Sequence, residues 1–299
     1  MGKDLQAKII IIDVQNSKQM PGISHDKLRV ATIFLLLVSS LAVSADVYLW
    51  RDQKGKTHYS DRAIAESKKI QVNPGYSYFR VAYVYDGDTV KLDDGRKIRL
   101  LGINTPEVRH RNQMTEAGGE AAKRWLAHTL ENRKVRLVTD VEQADKYKRT
   151  LAHLITEDKA HINVQLVELG LAAVNIYPPN LLYANELVAA GKRAEQAKRG
   201  IWGLPDYSPI PVGQIDENGH DGWLRLVGKV SAIRSSRKFV YLEFSPKLQA
   251  RIEKQWLSLF PDLNQYLGKT LEIRGWLNKN RGGWSMLIRH PSAIHELPG

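Results

Sequence analysis

The most constraining feature of this chain is the order of its periodic segments between residues 79 and 198. Three runs alternate apolar and polar residues as strands do, one helical segment follows, and two more strand-like runs precede two further helical segments. The strand-like runs are Phe79–Tyr85, Thr89–Leu92, Lys97–Leu101, Lys134–Thr139 and Thr150–Ile155, and the helical segments are Gly118–Leu130, Val164–Leu171 and Leu182–Lys198. This order predicts a mainly β protein with packed helices (α+β), in which residues 76–204 form a five-stranded barrel of the OB type.

A second strand-rich region covers residues 222–299. Two strand-like runs come first. Apolar residues at helical spacing then predict an amphipathic helix over Lys247–Phe260, and two more strand-like runs and a short final one follow. The order predicts a second, small OB-like barrel. Residues 205–221 are rich in proline, glycine and polar residues, and this composition predicts a linker between the two barrels.

The N-terminal segment has the pattern of a secretory signal peptide. Lys27 and Arg29 precede an apolar run, and small residues at Val43–Ala45 offer a cleavage site. The apolar run is shorter than the ~20 residues of a spanning helix. We therefore expect residues 1–45 to be removed, Met20 being an alternative start, and no membrane span to remain. The mature chain would be periplasmic or secreted; a buried N-terminal helix is the alternative.

Residues 46–70 predict a small β-hairpin module, because alternating residues flank a turn at Gly55. The pattern Y-x-W-x-D-x-x-G-x-x-H-Y-S-D, from Tyr48 to Asp61, resembles a small module of unknown function at the start of many exported bacterial proteins. His58 has no cysteine or histidine partner at ligand spacing, so a structural role is favoured over metal binding.

The charge of the chain favours a polyanionic partner. Its formal net charge is +12 and it has no cysteine, which excludes disulfides, thiolate metal sites and a cysteine nucleophile. Residues 222–299 carry 13 Lys/Arg against 5 Asp/Glu, or +8, and four of the seven tryptophans. Basic charge beside aromatic rings is typical of single-strand nucleic-acid binding. Trp256 fits the core, whereas Trp276 and Trp284 fit either a core or a binding surface.

Two loops and one strand carry residues suited to phosphodiester hydrolysis. Such hydrolysis needs a cation on the phosphate, positive groups for the transition state and a group that orients or deprotonates water. The Asp88 carboxylate can hold a hard cation, and Arg99 and Arg149 are forked donors that match phosphate oxygens. Asp86 fits a turn, and Arg99 with Glu107 could instead form a surface ion pair.

Six sequence blocks, taken together, resemble the staphylococcal-nuclease-like (thermonuclease) family over residues 79–203. The blocks are Asp86-Gly87-Asp88-Thr89-Val90, Ile98-Arg99-Leu100-Leu101-Gly102, Thr105-Pro106-Glu107, Gly118-x-Glu120-Ala121, Asp145-Lys146-Tyr147-x-Arg149 and Gly200-Ile201-Trp202. The resemblance implies a calcium-dependent phosphodiesterase that cuts DNA and RNA, although degenerate relatives are binding modules.

The resemblance also implies residue roles. Arg99, Glu107 and Arg149 would be catalytic, with Glu107 as the general base. Asp88, the side chain of Asn104 and the backbone carbonyl of Thr105 would bind Ca²⁺. The family often has aspartate where this chain has Asn104, so the affinity for calcium should be lower.

Substrate contacts are expected outside the metal site. Lys146 and Tyr147, in the polar loop beside Arg149, would contact and stack on the nucleic acid. Tyr177 matches the second of two family tyrosines, whereas the first aligns near Asn175, which puts that role in doubt.

Three functions are compatible with these features. The favoured one is an exported calcium-dependent nuclease acting on DNA and/or RNA, with a basic C-terminal nucleic-acid-binding domain and no protein partner implied, so that a monomer is expected. The second is a catalytically inactive nucleic-acid-binding module of the cell envelope. The third is an envelope structural protein whose basic C-terminal region meets anionic lipid or glycan.

Overall fold

The protein is described by a computed structural model. It describes residues 47–51, 56–60, 63, 66–70, 77–108, 116–215, 222–280 and 282–298. The predicted signal peptide lies outside these residues. The chain divides into two compact units, residues 1–75 and 76–299. Among the described residues, we find no helix with the length and apolar character needed to span a membrane.

The described part of the first unit is a three-stranded antiparallel sheet. Strand β1 (Val47–Arg51) pairs with both β2 (Thr57–Ser60) and β3 (Lys68–Ile70). The predicted pairing of the two hairpin strands is confirmed. Trp50 lies opposite His58, and their rings stack with centroids 5.1 Å apart, a contact that suits a structural histidine.

In the second unit, the first strands form a closed barrel. The strands of this part are β4 (Tyr78–Val84), β5 (Thr89–Leu92), β6 (Lys97–Leu100), β7 (Ile103–Asn104), β8 (Lys134–Val138), β9 (Thr150–Thr156) and β10 (Ala173–Val174). The barrel order is β4-β5-β6-β9-β8, and β7 and β10 pair with each other beside it. Only β6 and β9 run parallel within the barrel.

Three helices pack on the barrel: α1 (Gly119–Leu130), α2 (Ile162–Glu168) and α3 (Ala184–Gln196). Each supplies apolar side chains to one buried cluster that also contains the inward residues of the barrel strands. Leu126, Leu166 and Leu187 represent the three helices in this core. The predicted mixed α+β character, with mostly strands, is confirmed.

The C-terminal region forms one eight-stranded sheet around a second core. Its strands are β11 (Ile210–Pro211), β12 (Trp223–Lys229), β13 (Ala232–Ser235), β14 (Phe239–Ser245), β15 (Leu248–Glu253), β16 (Thr270–Asn280), β17 (Gly283–Ile288) and β18 (Ile294–Glu296). The order is β11-β12-β16-β17-β15-β14-β13, with β18 on β16. Because β11 and β13 are end strands, the pairing does not confirm the predicted OB-like barrel.

The predicted helix over Lys247–Phe260 is wrong. Residues 248–253 form β15, and a 3-10 turn covers Lys254–Leu259. Leu248, Ala250 and Ile252 are buried and alternate with less buried residues, so the true period is two. The strand is held between β14 and β17 on both sides.

The predicted linker is also partly wrong. Ile210 and Pro211 form β11, which pairs in parallel with β12. The methyl carbons of Val212 lie 2.7 and 2.9 Å from where a Cβ on Gly228 would be, so Val212 packs directly on the sheet. Residues 210–215 therefore belong to the C-terminal region, while 216–221 lie outside the described residues.

Partly buried ion pairs join the C-terminal sheet to helix α3. Glu195 of α3 accepts hydrogen bonds from Nη2 of Arg225 at 2.6 Å and Nη2 of Arg274 at 2.8 Å. Both arginines also bind Glu272, which is 3% exposed. Both guanidinium carbons lie 5.4 Å from the ring centroid of Trp202. This junction explains why residues 76–299 form one compact unit.

Candidate active site

The turn between β4 and β5 presents two aspartates. The Asp86 Oδ1 atom accepts a hydrogen bond from the Asp88 backbone N–H at 3.0 Å, which closes the turn. Between them, a Cβ on Gly87 would lie 2.6 Å from Ala122 Cβ and 2.7 Å from Thr105 Cγ2. Glycine is therefore required for the turn to lie against helix α1 and the Thr105 segment.

Asp88 is the centre of the candidate site. It is only 6% exposed. Its Oδ2 atom lies 2.9 Å from Arg99 Nη2 and accepts the Thr105 N–H at 3.1 Å, and Oδ1 accepts the hydroxyl of the adjacent Thr89 at 3.1 Å. The carboxylate thus fixes the strand that carries the arginine and the loop that leads to Glu107.

Arg99 projects from β6 toward the same loop. Its Nη2 atom donates to the Ile103 carbonyl at 3.0 Å and lies 3.5 Å from Asn104 Oδ1. The structure therefore brings together four of the predicted site residues: Asp88, Arg99, Asn104 and Thr105. Their catalytic and metal-binding roles remain predictions.

Two further carboxylates, those of Asp88 and Glu107, act electrostatically on Asp86. Burial raises the pKa of Asp86 to about 6, the charge of Asp88 and the charge of Glu107 act in the same direction, and Arg99 opposes them. A bound cation would relieve this repulsion. The predicted ligands are carboxylate, amide and carbonyl oxygens, which suit a hard cation such as Ca²⁺.

The donor set fits calcium only loosely. Across the described ranges, no group of three or more His, Cys, Asp or Glu side chains is placed to hold a metal ion. A calcium site built on Asp88 must therefore depend on uncharged oxygens, namely the Asn104 amide, the Thr105 carbonyl and water. Few charged ligands mean weak affinity.

Glu107 lies just beyond the group of Asp88, Arg99, Asn104 and Thr105. Both its backbone N–H and its backbone carbonyl are hydrogen-bonded to Glu116. Its N–H donates to Glu116 Oε2 at 2.9 Å, and its carbonyl accepts the Glu116 N–H at 3.0 Å. The Glu107 carbonyl also lies 3.0 Å from where a Cβ on Gly119 would be. The residue is exposed, so a substrate or water molecule can reach its side chain.

Arg149 is positioned by Asp145. The Arg149 Nε atom lies 2.7 Å from Asp145 Oδ2, and Asp145 Oδ1 accepts the backbone N–H groups of Tyr147 and Arg149 at 2.9 Å each. Burial acts to raise the pKa of Asp145, but these hydrogen bonds and the charge of Arg149 outweigh it, so the pKa falls. Since the ion pair uses Nε, the two Nη groups can turn toward a phosphate.

The predicted substrate-binding residues form exposed groups of rings and cations. Tyr147 is 67% exposed, with Lys146 Nζ 4.9 Å and the Arg149 guanidinium carbon 5.5 Å from its ring centroid. Tyr177 is 40% exposed. Its neighbouring cation is Arg289 of the C-terminal region, 4.3 Å from the ring centroid.

The tryptophans of the C-terminal region divide between core and junction. Trp256 and Trp284 pack, partly buried, against the second core. Trp284 also lies 5.4 Å from Lys279 Nζ. Trp276 pairs across strands with Trp223, whose ring in turn contacts Trp202 of the first barrel.

Two supporting residues had no assigned role in the sequence. Asp145 orients Arg149, and its position four residues before the arginine, across a tight polar loop, could have indicated the pair. Glu116 fixes the backbone of Glu107, but residues 108–115 separate them and no local pattern links the two.

Comparisons with known proteins match the two recognised regions. The family described as "Staphylococcal nuclease homologue" matches residues 97–203, and a domain of unknown function (DUF4124) matches residues 34–78. "Thermonuclease" of Staphylococcus intermedius is 40% identical over 131 residues, which cover 43% of this chain and 77% of that protein.

Two further relatives are similar over a comparable length of the chain. "Thermonuclease" of Staphylococcus hyicus is 35% identical over 133 residues, covering 44% of this chain and 78% of that protein. "Endonuclease YncB" of Bacillus subtilis (strain 168) is 32% identical over 127 residues, covering 41% of this chain and 60% of that protein.

Proposed function

Because the chain belongs to the staphylococcal nuclease family, we propose that it is a nuclease that hydrolyses phosphodiester bonds of DNA and/or RNA with calcium. The observation that carries this proposal is that Asp88 forms an ion pair with Arg99 and accepts a hydrogen bond from the Thr105 N–H. Glu107 lies two residues after Thr105 in the same loop. A surface ion pair of Arg99 with Glu107, the alternative considered from sequence, is not needed, since Arg99 pairs with Asp88.

The side chains divide the chemistry among them. Arg99 and Arg149 bind oxygens of the scissile phosphate and stabilise the charge of the pentacovalent transition state. Glu107 orients a water molecule and takes its proton as the water attacks phosphorus; the opposite P–O ester bond breaks, and the leaving oxygen takes up a proton from solvent. Bound Ca²⁺, held by Asp88, Asn104 and Thr105, would supply positive charge to the phosphate. Lys146, Tyr147 and Tyr177 hold the flanking strand.

Export of the mature chain is part of the proposal. The basic and apolar pattern of residues 1–45 supports a periplasmic or secreted protein. A weak calcium site fits that environment, since extracellular modules bind calcium with Kd of about 10⁻⁴–10⁻³ M. Fractionation of cells that express the full chain, with N-terminal sequencing of the released form, tests this point: a mature start near Asp46 is expected, and an uncleaved cytoplasmic chain would refute it.

The basic C-terminal region would add nucleic-acid affinity, because it holds +8 of the formal charge of +12. Its removal is a poor test, since it would strip Glu195 of both arginine partners and uncover Trp202. Point substitutions in the full chain keep the junction intact.

Single-turnover cleavage of a labelled oligonucleotide tests the role of Glu107. Glu107→Gln should lower the cleavage rate by about 10²–10⁴-fold, with little change in substrate affinity, because only a transition-state function is removed. Glu157→Gln, at an exposed turn residue, is the matched control and should cleave normally.

Two results would change the conclusion. Equal rates for Glu107→Gln and the control would remove the general base from Glu107. If the unmodified protein binds DNA and RNA but cuts neither, the inactive binding module replaces the nuclease.

A further inference from the structure

The C-terminal region contacts the preceding region, residues 76–204, at a second place, beside Tyr177. Arg289 follows β17 directly, and its guanidinium carbon lies 4.3 Å from the centroid of the Tyr177 ring. The ring nevertheless keeps 40% exposure. One exposed aromatic and one cation, from two different regions of the chain, therefore form a single surface element.

Tyr177 belongs to the segment 173–180, which connects the candidate metal residues with the polar loop that carries Tyr147. Near its start, Ala173 pairs with Asn104. At its end, the Asn180 side chain accepts the Glu142 N–H at 2.7 Å and donates to the Glu142 carbonyl at 2.9 Å. A strand bound along this segment would pass from the catalytic residues toward the loop that carries Tyr147.

Arg289 differs from the other arginines at the junction. Arg225 and Arg274 each bind both Glu195 and Glu272. For Arg289, the described residues provide the Tyr177 ring and no carboxylate within ion-pair distance. Its positive charge is therefore not neutralised, although it lies next to an exposed ring.

A purely structural role explains the contact of Arg289 with Tyr177 less well than substrate binding does. The junction already has its ion network around Glu272 and the packing of Trp202 against Trp223, and a cation–π contact between the half-buried Arg289 and an exposed ring adds little to that. An arginine beside an exposed aromatic ring is, by contrast, what a single-strand binding surface uses: the cation neutralises a phosphate and the ring stacks on a base.

We propose that Arg289 binds a phosphate of the substrate strand outside the scissile bond, so that the C-terminal region forms part of the substrate groove. This inference rests on the proposed nuclease function. The contact of Arg289 with a phosphate would make substrate affinity depend on strand length. A strand long enough to pass Tyr177 gains this contact, which a trinucleotide at the catalytic residues lacks.

Steady-state cleavage by the full chain tests this, with single-stranded DNA of about 12 nucleotides, within the site sizes of small binding folds, and a trinucleotide. Arg289→Gln should raise KM for the longer strand about five- to tenfold, the effect of one partly exposed charged contact, without changing kcat. The trinucleotide should be cleaved as before. Arg289→Lys should recover most of the affinity because it keeps the charge.

Lys254→Gln is the matched control, since it removes one charge from an exposed position elsewhere in the same region. The salt dependence gives a second readout: one lost phosphate contact on a single strand should lower the slope of log K against log salt by about 0.7. Lys254→Gln should leave the slope and KM close to those of the unmodified protein.

Each other outcome refutes the inference in a recognisable way. If Arg289→Gln matches the control on the longer strand while the unmodified protein cleaves it, Arg289 does not touch substrate. If Arg289→Gln lowers the melting temperature and impairs both substrates alike, the contact is structural. If the unmodified protein cleaves neither substrate, the nuclease proposal fails and this inference fails with it.

Discussion

Replacing Glu272 by glutamine should strongly destabilise the junction between helix α3 and the C-terminal sheet. Glu272 accepts hydrogen bonds from Arg225 Nε at 2.7 Å, Arg225 Nη2 at 3.0 Å and Arg274 Nε at 2.6 Å. Burial acts to raise the pKa of Glu272, but the hydrogen bonds and charges of the two arginines outweigh it, so the pKa lies below its usual value.

The expected cost follows from the burial of the arginines. Their side chains are only 10% and 12% exposed, and Glu272→Gln leaves them with the single charge of Glu195. Removing one partner of a buried ion pair costs about 3–5 kcal/mol. We expect about 3 kcal/mol, near the lower limit, because Glu195 still binds both guanidinium groups.

Urea unfolding, followed by tryptophan fluorescence, to which Trp202 and Trp223 at the junction contribute, measures this loss. Glu296→Gln is the matched control: it breaks the Lys269 ion pair, whose side chains are 51% and 46% exposed, and should cost less than about 1 kcal/mol. The difference should shrink as pH falls below the ordinary glutamate pKa of 4.5 and through the lowered pKa of Glu272, because a carboxyl with a lowered pKa loses its stabilisation as it takes up its proton. Equal unfolding midpoints for the two variants at pH 7 would refute this reasoning.

Asn104→Asp restores a charged ligand and should lower the calcium concentration needed for half-maximal cleavage with little change in the saturated rate; an unchanged midpoint in a calcium titration would mean that Asn104 is not a ligand. Gly87→Ala should lower both the melting temperature and activity, because its Cβ would lie 2.6 Å from Ala122 Cβ; unchanged thermal melting would contradict the tight turn. Burial, with a smaller effect of the nearby His161, lowers the pKa of His153 from 6.5 to about 4. Between these two pH values the unfolded chain binds a proton that the folded protein does not, so the free energy of unfolding falls as pH drops from 6.5 to about 4. His153→Asn should remove about 2 kcal/mol of the stability loss between about pH 7 and pH 5, and identical pH slopes of unfolding free energy in variant and unmodified protein would refute this.

The barrel strands and helices were predictable because their apolar residues follow a single period. All five barrel strands and α1–α3 lie within two or three residues of the predicted bounds. Strands β7 and β10 were missed, since each has two residues and forms only because the other pairs with it. The helix predicted over Lys247–Phe260 failed because Leu248, Ile252 and Trp256 also fit a helical period; burial of the small Ala250 between them indicates the strand.

The candidate site was predictable to the extent that its residues lie in short recurring blocks. Asp88, Arg99 and Asn104 meet as expected because one hairpin and the loop after it carry them. The contact of Arg289 with Tyr177 depends on how the C-terminal sheet packs against the first barrel and its flanking segments. No periodicity or local motif encodes that docking, so it could not be read from the sequence.

Incubation of the purified mature protein with plasmid DNA and with RNA, in calcium and then in excess chelator, tests the nuclease proposal most directly. We expect nicking and degradation in calcium that stop when chelator is added, with Glu107→Gln purified in parallel to exclude a contaminating nuclease. Substrates that stay intact across about 1–20 mM calcium, above the ~10⁻⁴–10⁻³ M of weak extracellular sites, would contradict the proposal and leave a protein that only binds nucleic acid.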